Sequence, residues 1–370
     1  MTGNSNIHNA GGNVGVGTAT PDVSAKLEIS STSQGVLPPR LTTAQMLSIA
    51  GPADGLLVYN TELKCFYGYA GTGWQAISWL HPIIPGHPVV VDPIAGTMRY
   101  APKGWFTQGS PADEPCRAST ETQFIHTLTR AFAVMETEVT RQMWATLLAV
   151  QTSLPADPTN TAYGAGLGHP VQNLSWYEAV LFANLLSVER GLTRCYWADG
   201  DFTTPIDASN YTSGPFYCDW AADGFRLPSS GEWEYFCRAG TTTPFWIAEP
   251  SYSISYCSTC VAGRHPELET AAVFCANSSG GTAAVATKAP NPWGIYDTHG
   301  NVGEWCWDID ETYPAGYATD YRGAASGSGR ITRPACWDYR PNECRSASFG
   351  AGVPGFRHPH FGFRLVRTLD

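Results

Sequence analysis

The sequence predicts an α+β fold, in which a small, mainly β module precedes a larger mixed domain with much irregular structure. Several stretches place a Ser or Thr three residues before a Glu or Gln and continue with apolar residues at helical spacing. One early stretch alternates in polarity, which indicates a β-hairpin or meander. The 38 glycines, 27 prolines and 13 tryptophans indicate short elements that are joined by many turns.

The amino-acid composition limits the classes of protein to which the chain can belong. Hydrophobic residues are 43% and charged residues 15% of the 370 residues, which is typical of a globular chain with a large core. The formal charge of −10 argues against nucleic acid or an anionic membrane as the main partner. No apolar run is long enough to insert into a membrane, and the N-terminus lacks the basic and apolar regions of a signal peptide.

Residues 1–80 differ in composition from the rest and predict a separate module. A strand is expected at 25–29, and Thr42 with Gln45 predicts a short capped helix that stops at Gly51. The alternating stretch "GLLVYNTELKCFYGYAGTGWQAIS" then predicts the hairpin or meander. The N-terminal glycine cluster precedes the first strand instead of following one, so it does not indicate a dinucleotide-binding loop.

A Pro-rich linker, 81–94, is predicted to lead into the larger domain, 95–370. Strand-like pieces come first, and three helices with recognisable ends follow. Their predicted caps and stops are Thr140 for the first, Ser175, Glu178 and Gly191 for the second, and Ser229, Glu232 and Gly240 for the third.

Eleven cysteines leave the redox state open. Cys195 and Cys218 flank a polar loop, and a disulfide between them would close that loop. The alternative is that both cysteines are free thiols. Cys257 and Cys260 have the spacing of half a zinc site, with Cys275 as a third candidate. Loop thiols or a local disulfide are the simpler interpretation of that pair.

Residues 95–368 contain a series of motifs in a fixed order. These are "FTQGSPADEP", "METEVTRQMW", "PVQNLSWYEAVLFANLLS", "GFRLPSSGEWEYFCRAG", "NPWGIYDTHGNVGEWCWD" and "GFRLVR". Together they resemble the formylglycine-generating enzyme (sulfatase-modifying factor) family. The resemblance implies a C-type-lectin-like fold, with two main helices, a small twisted sheet and much ordered irregular structure.

Two of these motifs carry candidate structural or metal-binding side chains. In "GFRLPSSGEWEYFCRAG", Arg226 is expected to pair with or cap Glu232 or Glu234. In "GNVGEW", Asn301 and Glu304 supply oxygens that suit calcium, which related proteins carry near this motif. The alternative is that Asn301 and Glu304 hydrogen-bond the loop backbone. No cofactor is required, and calcium is the ion that this motif indicates.

The resemblance also allows a test for catalysis. Catalytic members bind copper through two cysteines near the C-terminus, because two soft thiolates suit Cu(I). In the matching stretch, "RPACWDYRPNEC", the second cysteine falls on Cys344 and the first falls on Tyr339. Cys336 occupies the position of a family serine. The sequence therefore favours a protein without enzyme activity, with a copper-dependent oxidase that uses Cys336 and Cys344 as the alternative.

A second branch of the same fold comprises the variable proteins of diversity-generating retroelements. These display a C-terminal segment whose codons are rewritten at adenines. Family members typically have Gly-Gly-Ser-Trp, Cys-Arg-Ser-Ala and Gly-Phe-Arg at three fixed points. The chain resembles them in Trp337, in "CRSA", which ends at Ala347, and in "GFR", which ends at Arg364, and it departs from the pattern at 334–336. The positions between these motifs are predicted to be the rewritten ones. They hold residue types that are largely reachable by changing the adenines of an asparagine codon. A variable segment is thus predicted at 338–361, held by buried residues, namely Trp337, Cys344, Ala347, Phe363 and Leu365.

The predicted binding surface mixes aromatic, imidazole, charged and small residues, as antibody paratopes do. An ordinary surface loop is the plainer alternative, and the His-x-His pair within it is a candidate metal ligand or a simple surface pair. The predicted ligand-binding residues are Asp338, Tyr339, Arg340, Ser348, Phe349, Gly350, Gly352, Val353, Phe356, His358 and His360.

Residues 1–80 resemble the attachment modules of phage tail fibres and surface adhesins. The resemblance rests on "NVGVGTATPDVSAKLEI" and "GVLPPRLTTAQMLSIAGPADGLLVYNTELKCFYGYAGTGWQAIS". It implies a homotrimer formed through this module and a place in a virion, or else on a cell surface. The expected partner is a protein or glycan receptor on a cell surface, and a purely structural decoration domain is the remaining alternative.

Overall fold

The computed structural model describes residues 7–10, 13–33, 35–71, 73–77, 86–247, 260–261 and 265–369. The chain folds as two units, Met1–Trp79 and Leu80–Asp370. None of the helices that the structure describes combines the length and hydropathy needed to cross a membrane.

In its described residues, the first unit contains two small sheets and one short helix. Its elements are β1 (Ile7–Ala10), β2 (Asn13–Val16), β3 (Leu27–Ile29), β4 (Arg40–Leu41), α1 (Thr43–Leu47), β5 (Leu57–Asn60), β6 (Cys65–Ala70) and β7 (Gly73–Ile77). The sheets have the orders β1-β2-β3 and β4-β5-β6-β7. The predicted helix is confirmed, because Thr42 and Gln45 form a reciprocal capping box at its start. The predicted meander is also confirmed, and the strand expected at 25–29 is shorter.

The second unit carries its helices where the capping signals place them. Its helices are α2 (Arg141–Val150), α3 (Trp176–Glu189), α4 (Ser230–Arg238) and α5 (Pro266–Ala271). Ser175 with Glu178 and Ser229 with Glu232 form the predicted capping boxes, and the Thr140 side chain caps α2. The three predicted helices are therefore confirmed.

The strands of the second unit are short. They are β8 (Pro88–Asp92), β9 (Gly96–Ala101), β10 (Gly104–Gln108), β11 (Phe124–Leu128), β12 (Phe132–Met135), β13 (Tyr196–Trp197), β14 (Tyr217–Cys218), β15 (Phe225–Arg226), β16 (Gly303–Ile309), β17 (Gly316–Thr319), β18 (Arg330–Arg333), β19 (Gly350–Gly352), β20 (Phe361–Gly362) and β21 (Val366–Thr368). The largest sheet has the order β15-β21-β12-β9-β8, and a second has the order β19-β18-β16-β20. The predicted linker was too long, because its apolar run forms β8 against β9.

The main core lies on both faces of the largest sheet. Ala133 and Met135 of β12 belong to a buried group with α2 and α3, whereas Phe132 and Val134 belong to a second group with α4. Successive strand residues point to opposite faces, so one short strand contributes to both groups. Helix α3 is apolar on nearly all sides and correspondingly buried. The predicted α+β class is confirmed.

The cysteines follow the simpler interpretation where the structure describes them. Cys260 is bonded to Cys275, and Cys116 is also in a disulfide. Cys257 lies outside the described residues. Cys195 and Cys218 are free, buried thiols. In the pairing of β13 with β14, Cys218 lies opposite Tyr196 and not opposite Cys195. Strand pairing therefore closes the polar loop, and a disulfide does not.

Candidate functional site

The predicted variable segment lies between buried residues. The side chains expected to hold its backbone are all buried, with exposed fractions of 6% for Trp337 and 0% for Cys344, Ala347, Phe363 and Leu365. Because packed interiors tolerate little change in volume, these five positions can vary little.

Buried ion pairs fix the chain at two of the motifs that bound the segment. The Arg345 guanidinium lies 2.5 Å from a Glu114 oxygen and 2.7 Å from a Glu121 oxygen. Nη2 of Arg364 lies 2.6 Å from Oε1 of Glu304. Removing one partner of a buried pair leaves an uncompensated charge, which is strongly destabilising. Two runs of displayed residues make up the variable segment, a first run at 338–343 and a second run at 348–361. The pairs therefore hold the backbone on either side of the second run.

Main-chain hydrogen bonds attach the second run to the rest of the domain. The amide of Trp176 donates to the Pro354 carbonyl at 3.0 Å, and the amide of Asn173 donates to the His358 carbonyl at 3.1 Å. The amide of Gly303 donates to the His360 carbonyl at 2.7 Å. Backbone groups are the same for nearly every amino acid, so these bonds do not depend on which side chains the segment carries.

Most of the predicted binding residues reach the surface. The exposed ones are Asp338, Arg340, Gly350, Val353 and Phe356, and the half-buried ones are Tyr339, Phe349, Gly352, His358 and His360.

Rings from the two runs gather in one place. The rings of His358 and His360 are 4.3 Å apart, and that of Phe356 stacks on His358 at 5.8 Å. Tyr339 and Trp337 each meet the His360 ring edge-on, at 5.3 and 5.2 Å. The structure therefore brings Tyr339 of the first run next to His360, which follows 21 positions later.

A cleft of about 420 Å³ opens beside these rings. It is lined by Asn160, Tyr163, Trp337, Asp338, His358, Pro359 and His360. Tyr163 stacks on Trp337 with the ring centroids 5.2 Å apart. The sequence pattern did not single out Asn160 or Tyr163, because both come from a distant 3₁₀ turn, Thr161–Tyr163, and its cap. The one local signal is an aromatic residue among small polar ones.

The titratable groups that line the cleft include two imidazoles and one carboxylate. Burial first, and the neighbouring imidazole of His358 second, lower the pKa of His360. The Asp338 carboxylate lies 3.6 Å from Nε2 of His360 and opposes this shift. The cleft therefore presents a neutral His360 beside an acidic rim at neutral pH, which suits hydrogen bonding more than the binding of a strong anion.

Of the predicted binding residues, Asp338, His358 and His360 line the cleft, and four others make contacts elsewhere in the domain. Ser348 is only 9% exposed, and its carbonyl accepts a bond from Arg333. The ring of Phe349 packs against Tyr313 at 5.2 Å. Gly350 and Gly352 lie in β19, paired to β18.

Two of those predictions need correction. Ser348 is not a display position, because its side chain is buried. Gly352 cannot vary freely, because an added Cβ would lie 2.8 Å from Cη2 of the buried Trp305. At Gly350 the added Cβ would meet Thr332 Oγ1 at 3.2 Å, a contact that needs only a small adjustment.

The cysteines of the predicted copper alternative are buried. Burial raises the pKa of Cys336 to about 12, and burial also raises the pKa of the Cys344 thiol well above its usual range. Tyr339 packs against the apolar groups that contain each of them. Cu(I) is held by thiolates, whereas burial favours the neutral thiol of both cysteines in this structure.

Asn301 and Glu304 make other contacts. Both Glu304 oxygens accept bonds from Arg364, and Oε2 also accepts from Nε1 of Trp233. Asn301 donates to Glu138 and accepts from the Ala283 amide. The calcium site stays a prediction, although the pairing of Glu304 with an arginine does not fit a cation there. In the described part of the chain, no three His, Cys, Asp or Glu side chains are placed to hold a metal ion.

Arg226 confirms one of the two pairings that the sequence left open. Its guanidinium lies 2.6 Å from Glu232, whereas Glu234 pairs with Arg238 and Arg333.

Comparisons with known proteins agree with this architecture. Residues 93–369 match the sulfatase-modifying factor enzyme 1-like domain, and residues 15–87 match a phage tail like trimerisation region. The formylglycine-generating enzyme of Streptomyces coelicolor is 28% identical over 292 residues, which are 73% of this chain and 88% of that protein.

Two solved structures share the fold. Treponema denticola variable protein 1 is 28% identical with a TM-score of 0.62, over 76% of this chain and 100% of its own. PvdO from Pseudomonas aeruginosa is 24% identical with a TM-score of 0.58, over 77% of this chain and 99% of its own. The predicted C-type-lectin-like fold is confirmed. With about three quarters of its length matched, the chain belongs to the sulfatase-modifying factor enzyme 1-like family.

Proposed function

We propose that the protein is a non-catalytic receptor-binding protein whose C-terminal segment is a surface diversified by a retroelement. One observation carries the proposal. Side chains from both runs, including Asp338, Phe356, His358 and His360, gather beside one cleft, while buried residues and main-chain bonds hold the backbone. Side chains at such positions can be exchanged at little cost to folding, because they are not part of the packed core.

The chemistry of the cleft suits recognition of a protruding polar group. A volume of about 420 Å³ is large enough for an amino-acid side chain or one sugar unit. Aromatic and imidazole rings supply contact area with few rotatable bonds, and Asp338 and Asn160 supply hydrogen-bonding groups. The receptor is therefore a protein or glycan with a projecting group, and binding requires no cofactor.

The similarity to Treponema denticola variable protein 1 supports the assignment to a retroelement-diversified protein. The match of residues 15–87 to a phage tail like trimerisation region supports a place in a phage tail, with a cell surface as the other location.

The similarity to formylglycine-generating enzymes favours a second candidate, a copper-dependent oxidase. Against it stand Tyr339 at the first cysteine position and the buried thiols of Cys336 and Cys344. Titration with Cu(I), with Cys344→Ala as the control, separates the two functions. Stoichiometric binding that is lost in the variant would favour the oxidase.

A binding screen tests the receptor-binding proposal. Labelled protein is applied to bacterial surfaces, glycan arrays and protein arrays. Binding by the wild type should fall at least tenfold in the Tyr339→Ala/Phe356→Ala double variant and stay unchanged in Tyr317→Ala. Tyr317 is a matched control because it is 52% exposed and lies outside the segment, in β17. Binding that survives the double variant would reject the proposed site, and a wild type that binds nothing would favour a structural decoration domain.

Sequencing the same gene from sibling isolates tests diversification itself. Changes should concentrate at the exposed positions of 338–361 and spare the buried ones. Changes scattered evenly along the gene would contradict a retroelement.

A further inference from the structure

The cleft beside the variable segment contains a carboxylate that has no strong cationic partner. The seven described residues that line the cleft include Asp338 and no lysine or arginine. The Asp338 side chain is 59% exposed, and among the described residues its one ion-pair contact is with His360, 3.6 Å from Oδ2 to Nε2. Because burial lowers the pKa of His360, this imidazole is neutral at neutral pH and does not compensate the charge. The carboxylate is therefore open to a cation from outside the chain.

The other walls of the cleft are mostly aromatic or apolar. Tyr163 stacks on Trp337 with the ring centroids 5.2 Å apart, and Trp337 meets the His360 ring edge-on. Pro359 adds an apolar ring. Aromatic faces attract cations, and a long cationic side chain packs its methylene stem along apolar surface while its charged end contacts polar groups. The cleft thus offers a surface for such a stem and one carboxylate for its charge.

We propose that the group which the cleft takes is the ammonium of a lysine side chain on a protein receptor. The inference rests on the proposed receptor-binding function and names the chemical class of the receptor. With Oδ2 of Asp338 facing His360, Oδ1 is left for the ligand. One oxygen suits the point charge of an ammonium, whereas a guanidinium forms its strongest pairs with both oxygens of a carboxylate. The formal charge of −10 adds a long-range attraction for cationic surfaces.

The preference for lysine belongs to this version of the variable segment. Tyr163 lies outside the segment and Trp337 immediately precedes it, so both rings are common to every version. Asp338 lies within the segment, and rewriting this one codon changes the charge that the cleft presents. Asp338→Asn keeps the size of the side chain and removes its charge, which makes this variant the direct test.

Saturation-transfer NMR on the full-length chain tests the proposal, with N-acetyl-lysine amide as the probe. A Kd on the order of 1 mM is expected for so small a ligand. N-acetyl-norleucine amide, which has a similar stem without the ammonium, should bind about three- to tenfold more weakly. Asp338→Asn should weaken binding of the lysine probe by a similar factor. Asp201→Asn is the matched control, since Asp201 is exposed and lies outside the segment, and it should bind as the wild type does.

Equal binding of the lysine and norleucine probes would overturn the proposal, as would full binding of the lysine probe by Asp338→Asn. So would the absence of saturation transfer from the lysine probe at about ten times the expected Kd. Tighter binding of N-acetyl-arginine amide or of glucosamine would overturn the assignment to lysine in favour of a guanidinium or an amino sugar. Because the two probes are compared on the wild type, the test stays valid whatever the substitution does to folding.

Failure of the proposed function would look different. The receptor screen would then find no ligand whose binding depends on Tyr339 and Phe356. A receptor that depends on those two residues and binds Asp338→Asn as tightly as the wild type would leave receptor binding in place and overturn the lysine assignment alone.

Discussion

Tyr163 stacks on Trp337 with the ring centroids 5.2 Å apart and the ring planes at 24°. Trp337 stands immediately before the variable segment, whereas Tyr163 belongs to a turn far earlier in the chain. The cleft therefore has one wall that lies outside the segment. A receptor that enters the cleft meets the same tyrosine whatever the displayed side chains are.

Truncating Tyr163, which lines the cleft from outside the variable segment, should weaken receptor binding. Tyr163→Ala should raise the Kd of any receptor found by the screen by roughly 5–30-fold, since truncating an aromatic contact at a binding site typically costs about 1–2 kcal/mol. Titration calorimetry with that receptor measures the change. Tyr317→Ala is the control and should bind as the wild type does. Equal affinity for Tyr163→Ala would place the receptor outside the cleft.

The arginine of the "CRSA" motif should be essential to folding. Arg345→Met removes the partner of Glu114 and Glu121, which then remain buried without a cation. The free energy of unfolding should fall by about 3–5 kcal/mol in urea denaturation. Arg340→Met, at an exposed position five residues earlier, should change it by less than about 0.5 kcal/mol. Similar effects of both variants would contradict a structural role for the ion pair.

Substitution by alanine should have opposite effects on stability at two glycines of the second run, Gly352 and Gly355. Gly352→Ala puts a Cβ against Trp305 and should destabilise the fold by about 1–3 kcal/mol. At Gly355 the added Cβ lies 3.7 Å from Tyr177, an ordinary contact, so Gly355→Ala should be neutral or stabilise by about 0.4–1 kcal/mol. Thermal unfolding of both variants in parallel decides the matter, and a stable Gly352→Ala would restore that position as a variable slot.

The buried Asp308 should make stability depend on pH. Burial raises the pKa of its carboxyl to about 7 from 3.8, and Oδ1 has no hydrogen-bond partner among the residues that the structure describes. The folded chain thus holds this proton more tightly than the unfolded chain does. The contribution of the protonated Asp308 to the free energy of unfolding is therefore lost as pH rises from about 4 to about 7. Asp308→Asn removes the titrating group, and its amide oxygen can still accept from the Ser230 amide.

The stability of Asp308→Asn relative to the wild type should therefore increase with pH, by on the order of 3 kcal/mol between pH 4 and pH 8. Urea denaturation of both proteins across this range measures it. A difference that stays constant would mean that Asp308 is ionised in the folded protein throughout.

Local patterns were enough to predict the helices. The boxes at Ser175 and Ser229 involve residues three positions apart, so the sequence contains both partners of each bond. The buried side chains around the segment were predictable for a related reason. Trp337, Phe363 and Leu365 are large and apolar, and the motifs that contain them bound an unpatterned stretch.

The composition of the cleft was not predictable, because it depends on contacts between distant residues. Tyr163 reaches Trp337 only through the path of the chain. Gly352 and Ser348 looked like displayed positions because the stretch has no periodicity, and the pairing of β19 with β18 is set by the fold of the whole domain. The same holds for Cys195 and Cys218, whose spacing suits a disulfide while the strand register sets Cys218 opposite Tyr196.

The main-chain bonds to Pro354, His358 and His360 have a practical consequence for protein engineering. They make the domain a scaffold in which a synthetic library can be built without redesigning the loop. Codons should be randomised at the exposed positions on both sides of the cleft, and Gly352 with the buried arginines should be left unchanged. Such a library would sample contact chemistry at constant loop geometry, so that differences in affinity between its members report on side chains alone.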